Sequence, residues 1–169
     1  MPSKTAQPFV LADALLAAFD TNDRINFYLI ENLPAPAWRA EPPGGKGRDI
    51  ASIVAHMHNV RVMWLKAAGG KASPERDAKI PAQLDKGKIT PALARKSLAE
   101  SGTALYEVLK AALAADGRVK GFRPDAAGFV GYLIAHDAHH RGQITMLARQ
   151  AGHPISQKIM FGMWEWGSR

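Results

Sequence analysis

Residues 125–150 read DAAGFVGYLIAHDAHHRGQITMLARQ. At 100° per residue, Phe129, Tyr132, Leu133, His136, His140, Gln143 and Leu147 share one stripe, and Arg141 projects roughly opposite. An apolar stripe of that period is the mark of a helix that turns one face to a core. The helix is bounded by Asp125 at its start and by Gly152 and Pro154 beyond its end. It is too long for a strand, and no alternating run competes with it.

The same period recurs upstream. Phe9, Ala12, Leu15, Leu16, Phe19, Leu29 and Ile30 predict a helix over 8–32, stopped by Asn32-Leu33-Pro34-Ala35-Pro36, because proline disfavours helix in the residue before it. A loop follows over 33–48. Asp49 is a good N-cap for a second helix to about Ala68, ended by Gly69-Gly70. Residues 69–89 form a charged connection long enough to cross a bundle. Thr90-Pro91 opens a third helix running to about Ala115, with Leu93, Leu98, Leu105, Val108, Leu109 and Leu113 on its apolar face. A short fifth helix leads into the tail Met163-Trp164-Glu165-Trp166. The expected fold is all-α: one domain over 1–169, a four-helix bundle of antiparallel-packed helices with long crossover connections and no sheet. Its core spans about 8–154, and 155–169 forms a tail.

Composition narrows the function. The chain has 169 residues, 47% apolar, with a net charge of +7 and no cysteine. Length fits one domain with a core that needs no staple. Zero cysteine removes disulfides, thiolate zinc sites, iron–sulfur clusters and cysteine nucleophiles together; it fits a reducing, cytoplasmic setting. No apolar run reaches the ~18 residues of a membrane span, and the N-terminal MPSKTAQPFVLADALLAAFD does not read as a signal peptide, since Asp13 breaks its apolar run. Residues 66–123 hold 12 Lys/Arg against 6 Asp/Glu. This basic stretch reads first as solvated surface, with no nucleic acid expected; if it serves a site, its cations should cluster at the pocket mouth and steer an anionic substrate.

Six histidines stand at 56, 58, 136, 139, 140 and 153. His136 and His140 are four apart, one helical turn along one face. Neutral imidazole is the commonest side-chain metal ligand, and a shared ion would satisfy two rings that otherwise cost ~1–3 kcal/mol each as unpaired buried groups. A third ligand would come from the second helix, whose buried stripe is centred near Ile50, Val54, Met57, Arg61 and Trp64. His56 and His58 lie about equally far from that centre on opposite sides, so spacing leaves both open.

Other polar residues carry two readings each. Asn22 and Asn26 either line a pocket above the metal or act as pegs between helices. Gln143 either supports a ligand or is a packed core amide. His139 lies off the ligand stripe, as a boundary residue or a proton shuttle. Asp137 diverges from its neighbour His136 and is not read as a general base. Tyr132 and Trp64 are core or pocket wall. Trp164 and Trp166 either anchor a homodimer contact or fold back on the bundle.

Together these residues carry a resemblance. Asn22-Asp23-Arg24-Ile25-Asn26 is similar to an NxxxN element; Arg48 to Met57, RDIASIVAHM, to a second-helix metal motif; His136 to Ile144, HDAHHRGQI, to an HxxxHRGQ signature followed by Leu147-Ala148-Arg149-Gln150-Ala151-Gly152. The chain thus resembles the DinB-like metal-binding four-helix bundles, related to YfiT-type hydrolases. The resemblance covers about 8–154. It implies His56, His136 and His140 as metal ligands, choosing His56 over His58, and one divalent ion, zinc or nickel. It implies an enzyme of thiol-S-transferase type acting on a small molecule with a low-molecular-weight thiol. A metal-dependent hydrolase, or a non-catalytic metal- or ligand-binding stress-response protein, are the alternatives it leaves.

Overall fold

The computed structural model describes residues 8–69 and 80–169. Its long elements are α1 (Leu11–Glu31), α2 (Ile50–Gly69), α3 (Pro91–Ala114) and α4 (Ala126–Gln150), followed by a short α5 (Gln157–Gly162). Among the described residues there is no strand. Three helix starts follow the expected cap chemistry. The Asp49 carboxylate accepts from the Ser52 amide at 2.8 Å, the Thr90 hydroxyl from Leu93 at 3.2 Å, and the Asp125 carboxylate from Gly128 at 2.8 Å. Each replaces a bond that a first-turn N–H otherwise lacks. The expected connection over 69–89 lies in part outside the described residues.

Two apolar clusters show how the helices run. One joins the C-terminal end of α1 (Leu29, Ile30) to the N-terminal halves of α2 (Ile50, Val54, Met57) and α3 (Ala94, Leu98) and to the end of α4 (Ile144, Leu147, Ala148). The other joins the start of α1 (Leu16, Phe19) to Leu65 of α2, to Leu105, Leu109 and Ala112 of α3, and to the start of α4 (Ala126, Phe129, Leu133). The helices therefore run up, down, down and up. The expectation of antiparallel packing throughout needs correction: α2 and α3 are parallel. α2 therefore ends toward the opposite end of the bundle from where α3 begins, which fits the length of the connection that the sequence shows. α1 and α2 each pack against both α3 and α4, so all four meet at the centre.

The segment expected as a plain loop over 33–48 contains 3₁₀ turns at Ala35–Arg39 and Pro43–Gly45. The first turn buries Ala37 and Trp38 in the cluster at that end of the bundle. It is a plug: burying a large side chain there contributes ~1.5–3 kcal/mol.

Between the two apolar clusters lies a polar layer. The Arg61 guanidinium, 1% exposed, bonds Asp137 Oδ2 at 2.7 Å, the Asp23 carboxylate and the Leu98 carbonyl at 3.2 Å. Asn22 and Asn26 donate to the same Asp137 oxygen at 2.7 and 2.8 Å, and their own oxygens accept from Arg141 Nη1 at 2.7 and 2.6 Å. α3 admits the pair through Gly102, where a Cβ would lie 1.9 Å from Asp23 Oδ2. Two arginines face two carboxylates, so the layer is neutral as a whole. Burial pushes Asp137 up, but Arg61 and the hydrogen bonds more than reverse it and hold the carboxyl well below its usual range. For Asp23 burial outweighs Arg61, and its carboxyl is raised.

Candidate metal centre

α4 sits in the bundle at a different rotation from the one expected. Its innermost residues are Ala126, Phe129, Val130, Leu133, Asp137, Ile144 and Ala148, all buried. The histidine pair therefore lies on the flank of the buried face that adjoins α2. His140 is buried, while His136 and Gln143 are partly open to solvent. The same rotation brings Arg141, expected to point away, to the flank that meets Asn22 and Asn26 on α1.

α2 contributes His56 from its outer side, next to the α4 flank. His58 points the other way, into the buried face. Its Nδ1 meets the Ser97 carbonyl at 2.8 Å and the Ser101 hydroxyl at 3.1 Å, and its Nε2 meets the Ala82 carbonyl at 2.9 Å. With these partners satisfied, His58 is a structural pin. The two rings that spacing treated as equivalent are thus separated by what surrounds them.

His56, His136 and His140 offer ligand nitrogens that all lie within 4.8 Å of one another. His136 Nε2 and His140 Nε2 are 3.2 Å apart. Two nitrogens bound to one zinc at ~2.0–2.1 Å in tetrahedral geometry are separated by about 3.4 Å, so this pair has the right spacing. The His56 ring centroid lies 5.5 Å from that of His136 and 4.8 Å from that of His140. Among the described residues no fourth His, Cys, Asp or Glu joins the group.

The surroundings favour neutral imidazoles, the form that binds metal. Burial, then the positive charges of Arg48 and of the neighbouring rings, push His56 down to about 4. Burial likewise lowers His140, although its bond to Gln143 works the other way. Gln143 Oε1 lies 2.8 Å from His140 Nδ1. With an amide oxygen as acceptor, Nδ1 carries the proton and Nε2 presents its lone pair to the site. The Gln143 amide also reaches the exposed His139 ring, 3.0 Å away. Gln143 is therefore a support for a histidine of the cluster rather than a packed core amide. Asn22 and Asn26 are pegs in the central layer, the second of their two readings.

Sequence reasoning passed over Asp137 as a structural element. Its Oδ2 collects three donors from α1 and α2, and its Oδ1 lies 3.7 Å from His136 Nδ1. The signal was present: Asn22 and Asn26 on one face of α1, with Arg61 inside the apolar stripe of α2, needed an acceptor from α4. Below the histidines, Tyr132 stacks on His136 at 6.0 Å, and Trp64 meets Tyr132, Phe122 and Phe129 edge-on at 5.4–5.5 Å. Core and site wall are here one continuous aromatic cluster. In the tail, Met163 packs on the core, and Arg169 lies over the Tyr28 ring at 3.8 Å. Trp164 and Trp166 remain exposed.

No helix of the described residues is long and apolar enough to cross a membrane. No curated protein and no solved structure matches the chain. The family model described as "DinB family" matches residues 1–159, which include all four long helices and the three clustered histidines. The chain belongs to the DinB family.

Proposed function

We propose that this protein is a metal-dependent enzyme in which His56, His136 and His140 hold one divalent ion, zinc or nickel. The observation that carries the reading is the convergence of three imidazoles from two helices, their ligand nitrogens within 4.8 Å of one another, with no fourth His, Cys, Asp or Glu in the group among the described residues. A structural zinc site closes with four protein ligands, whereas a catalytic one keeps a position open. Three neutral ligands would leave the ion its full charge, and when bound it would supply Lewis acidity to ionise a thiol or a water in that open position.

The chain's own residues prepare the place. Gln143 fixes the His140 tautomer, the central polar layer fixes the turn of α4 that carries His136, and His56 and His136 are each partly open to solvent. We favour thiol-S-transferase chemistry, with a low-molecular-weight thiol as co-substrate, on the strength of the family resemblance. The same ligand set would serve a hydrolase, with water in place of the thiol. The test is metal analysis of untagged protein purified without nickel resin, followed by a screen of electrophilic substrates with and without a low-molecular-weight thiol. Stoichiometric zinc or nickel and thiol-dependent turnover are expected. Turnover of esters or amides without thiol would select the hydrolase, and absence of bound metal after zinc or nickel loading would refute the metalloenzyme reading.

A further inference from the structure

A groove of about 330 Å³ runs between α1 and α3, with Phe19, Asp23 and Phe27 on one side and Gly102, Thr103 and Tyr106 on the other. That volume lies within the ~300–1,000 Å³ of small-molecule sites. Because α1 and α2 each pack against both α3 and α4, the α1–α3 seam is on the opposite side of the bundle from the α2–α4 flank that carries the histidines. Asp23 is the buried carboxylate of the lining, 8% exposed. Its two oxygens differ. Oδ1 is held by Arg61. Oδ2 has no hydrogen-bond partner among the described residues, yet it is not sealed from solvent. The Asn26 amide, which bears only weakly on Asp23, donates to Asp137 at 2.8 Å instead. Gly102 leaves Oδ2 uncovered from the α3 side, since a Cβ there would lie 1.9 Å from it.

The central layer is neutral as a whole, but Arg141 enters it through the Asn22 and Asn26 oxygens, and Arg61 alone touches both carboxylates. One guanidinium is thus divided between two anions, and burial raises the Asp23 carboxyl in spite of it. Among the described residues no lysine or arginine lines the groove. Asp20, the other lining acid, is engaged by Arg24, and Arg95, 5.6 Å over the Phe27 ring, is engaged by Glu31. The walls are aromatic, and Phe27 and Tyr106 are partly open to solvent. A carboxylate oxygen with a free lone pair among aromatic rings suits an ammonium group: its N–H donates to the oxygen, and the ring faces attract its charge. We propose that the α1–α3 groove binds a small organic ammonium compound, its nitrogen donating to Asp23 Oδ2 and its apolar body lying between Phe27 and Tyr106. The site is separate from the three histidines and does not rest on their holding a metal.

The test titrates the full chain at about pH 7 with phenethylammonium and with its neutral counterpart 2-phenylethanol, followed by amide chemical shifts. The ammonium should move the amides of Asp23, Gly102 and Tyr106 and bind about tenfold or more tightly than the alcohol, because a charge-assisted hydrogen bond replaces a neutral one. Asp23→Asn keeps the shape of the side chain and should weaken the ammonium, and not the alcohol, by about the same factor. Thr103→Trp fills the groove from an exposed position that makes no bond to the central layer, and should abolish binding of both probes. His56→Ala should bind the ammonium as wild type does. Circular dichroism verifies folding, and if Asp23→Asn does not fold, Thr103→Trp and the comparison with the alcohol decide. Absence of ammonium-induced shifts at Asp23 and Gly102, equal binding of the two probes, or unchanged ammonium binding in folded Asp23→Asn or Thr103→Trp overturns the proposal. Loss of ammonium binding in folded His56→Ala overturns it too, since the ammonium would then sit at the histidines.

Discussion

Arg61→Met removes the one cation that both Asp23 and Asp137 share in the centre of the bundle. Methionine keeps most of the volume, so packing changes least and charge changes most. Arg61 and Asp137 are 1% and 2% exposed, and four polar side chains from α1 and α4 depend on the pair. Leaving a buried charge without its partner costs ~3–5 kcal/mol, against a total stability of ~5–15 kcal/mol for a domain. The variant should therefore lose about that amount at pH 7 in urea unfolding monitored by circular dichroism. The pH dependence carries a sign of its own. In wild type the Asp137 carboxyl is held low, so its contribution is present above the unfolded value of ~3.9 and is lost as pH falls below it. In the variant burial is opposed only by the remaining hydrogen bonds, those of Asn22 and Asn26 among them, and raises that carboxyl. The native state then binds more protons than the unfolded state, and the deficit should shrink as pH drops from 7 toward 4. Adding Asp137→Asn to the variant should recover part of the deficit at pH 7. A loss below about 1 kcal/mol, or one independent of pH, would refute this account of the central layer.

Gly102→Ala should cost ~1–3 kcal/mol, because its methyl would stand 1.9 Å from an Asp23 oxygen beside the Arg61 pair; chemical denaturation checks it. Gln143→Leu should keep the fold and weaken zinc binding ~10–100-fold, the usual effect of losing a residue that orients a ligand; a chelator competition reads it. The apoprotein should lose stability as pH falls from about 6.5 to about 4. The native state resists protonating His56 there while the unfolded chain does not, and His56→Gln should reduce that loss.

Much of the fold was legible in the sequence because apolar spacing and cap residues act locally. Asp49, Thr90 and Asp125 marked helix starts to within a residue. Helix direction was less legible, since it depends on where the 69–89 connection returns and not on any local pattern. The phase of α4 was misjudged for a physical reason. The stripe was drawn through His136 and His140 as though they faced the core, but the buried centre runs through Leu133, Asp137 and Ile144. A charged residue at the centre of a buried face looks like surface until its partners are known, and those partners, Asn22, Asn26 and Arg61, lie 76 to 115 residues away. The same limit applied to His56 and His58. Their angular positions did not separate them, whereas polar contacts with Ser97 on α3 and with the Ala82 carbonyl engage one and leave the other beside the α4 pair.

The most direct measurement is the metal content and zinc affinity of His56→Ala, His136→Ala and His140→Ala, with His58→Gln and His153→Ala as controls and circular dichroism to verify folding. Each of the three substitutions should remove most of the bound metal from a folded helical protein, because apolar clusters at both ends hold the bundle. The two controls should retain metal, with His58→Gln less stable because His58 ties α2 to the Ser97 and Ala82 carbonyls. Loss of metal from folded His58→Gln with retention in His56→Ala, or equal metal content in all five variants, would contradict the three-histidine site.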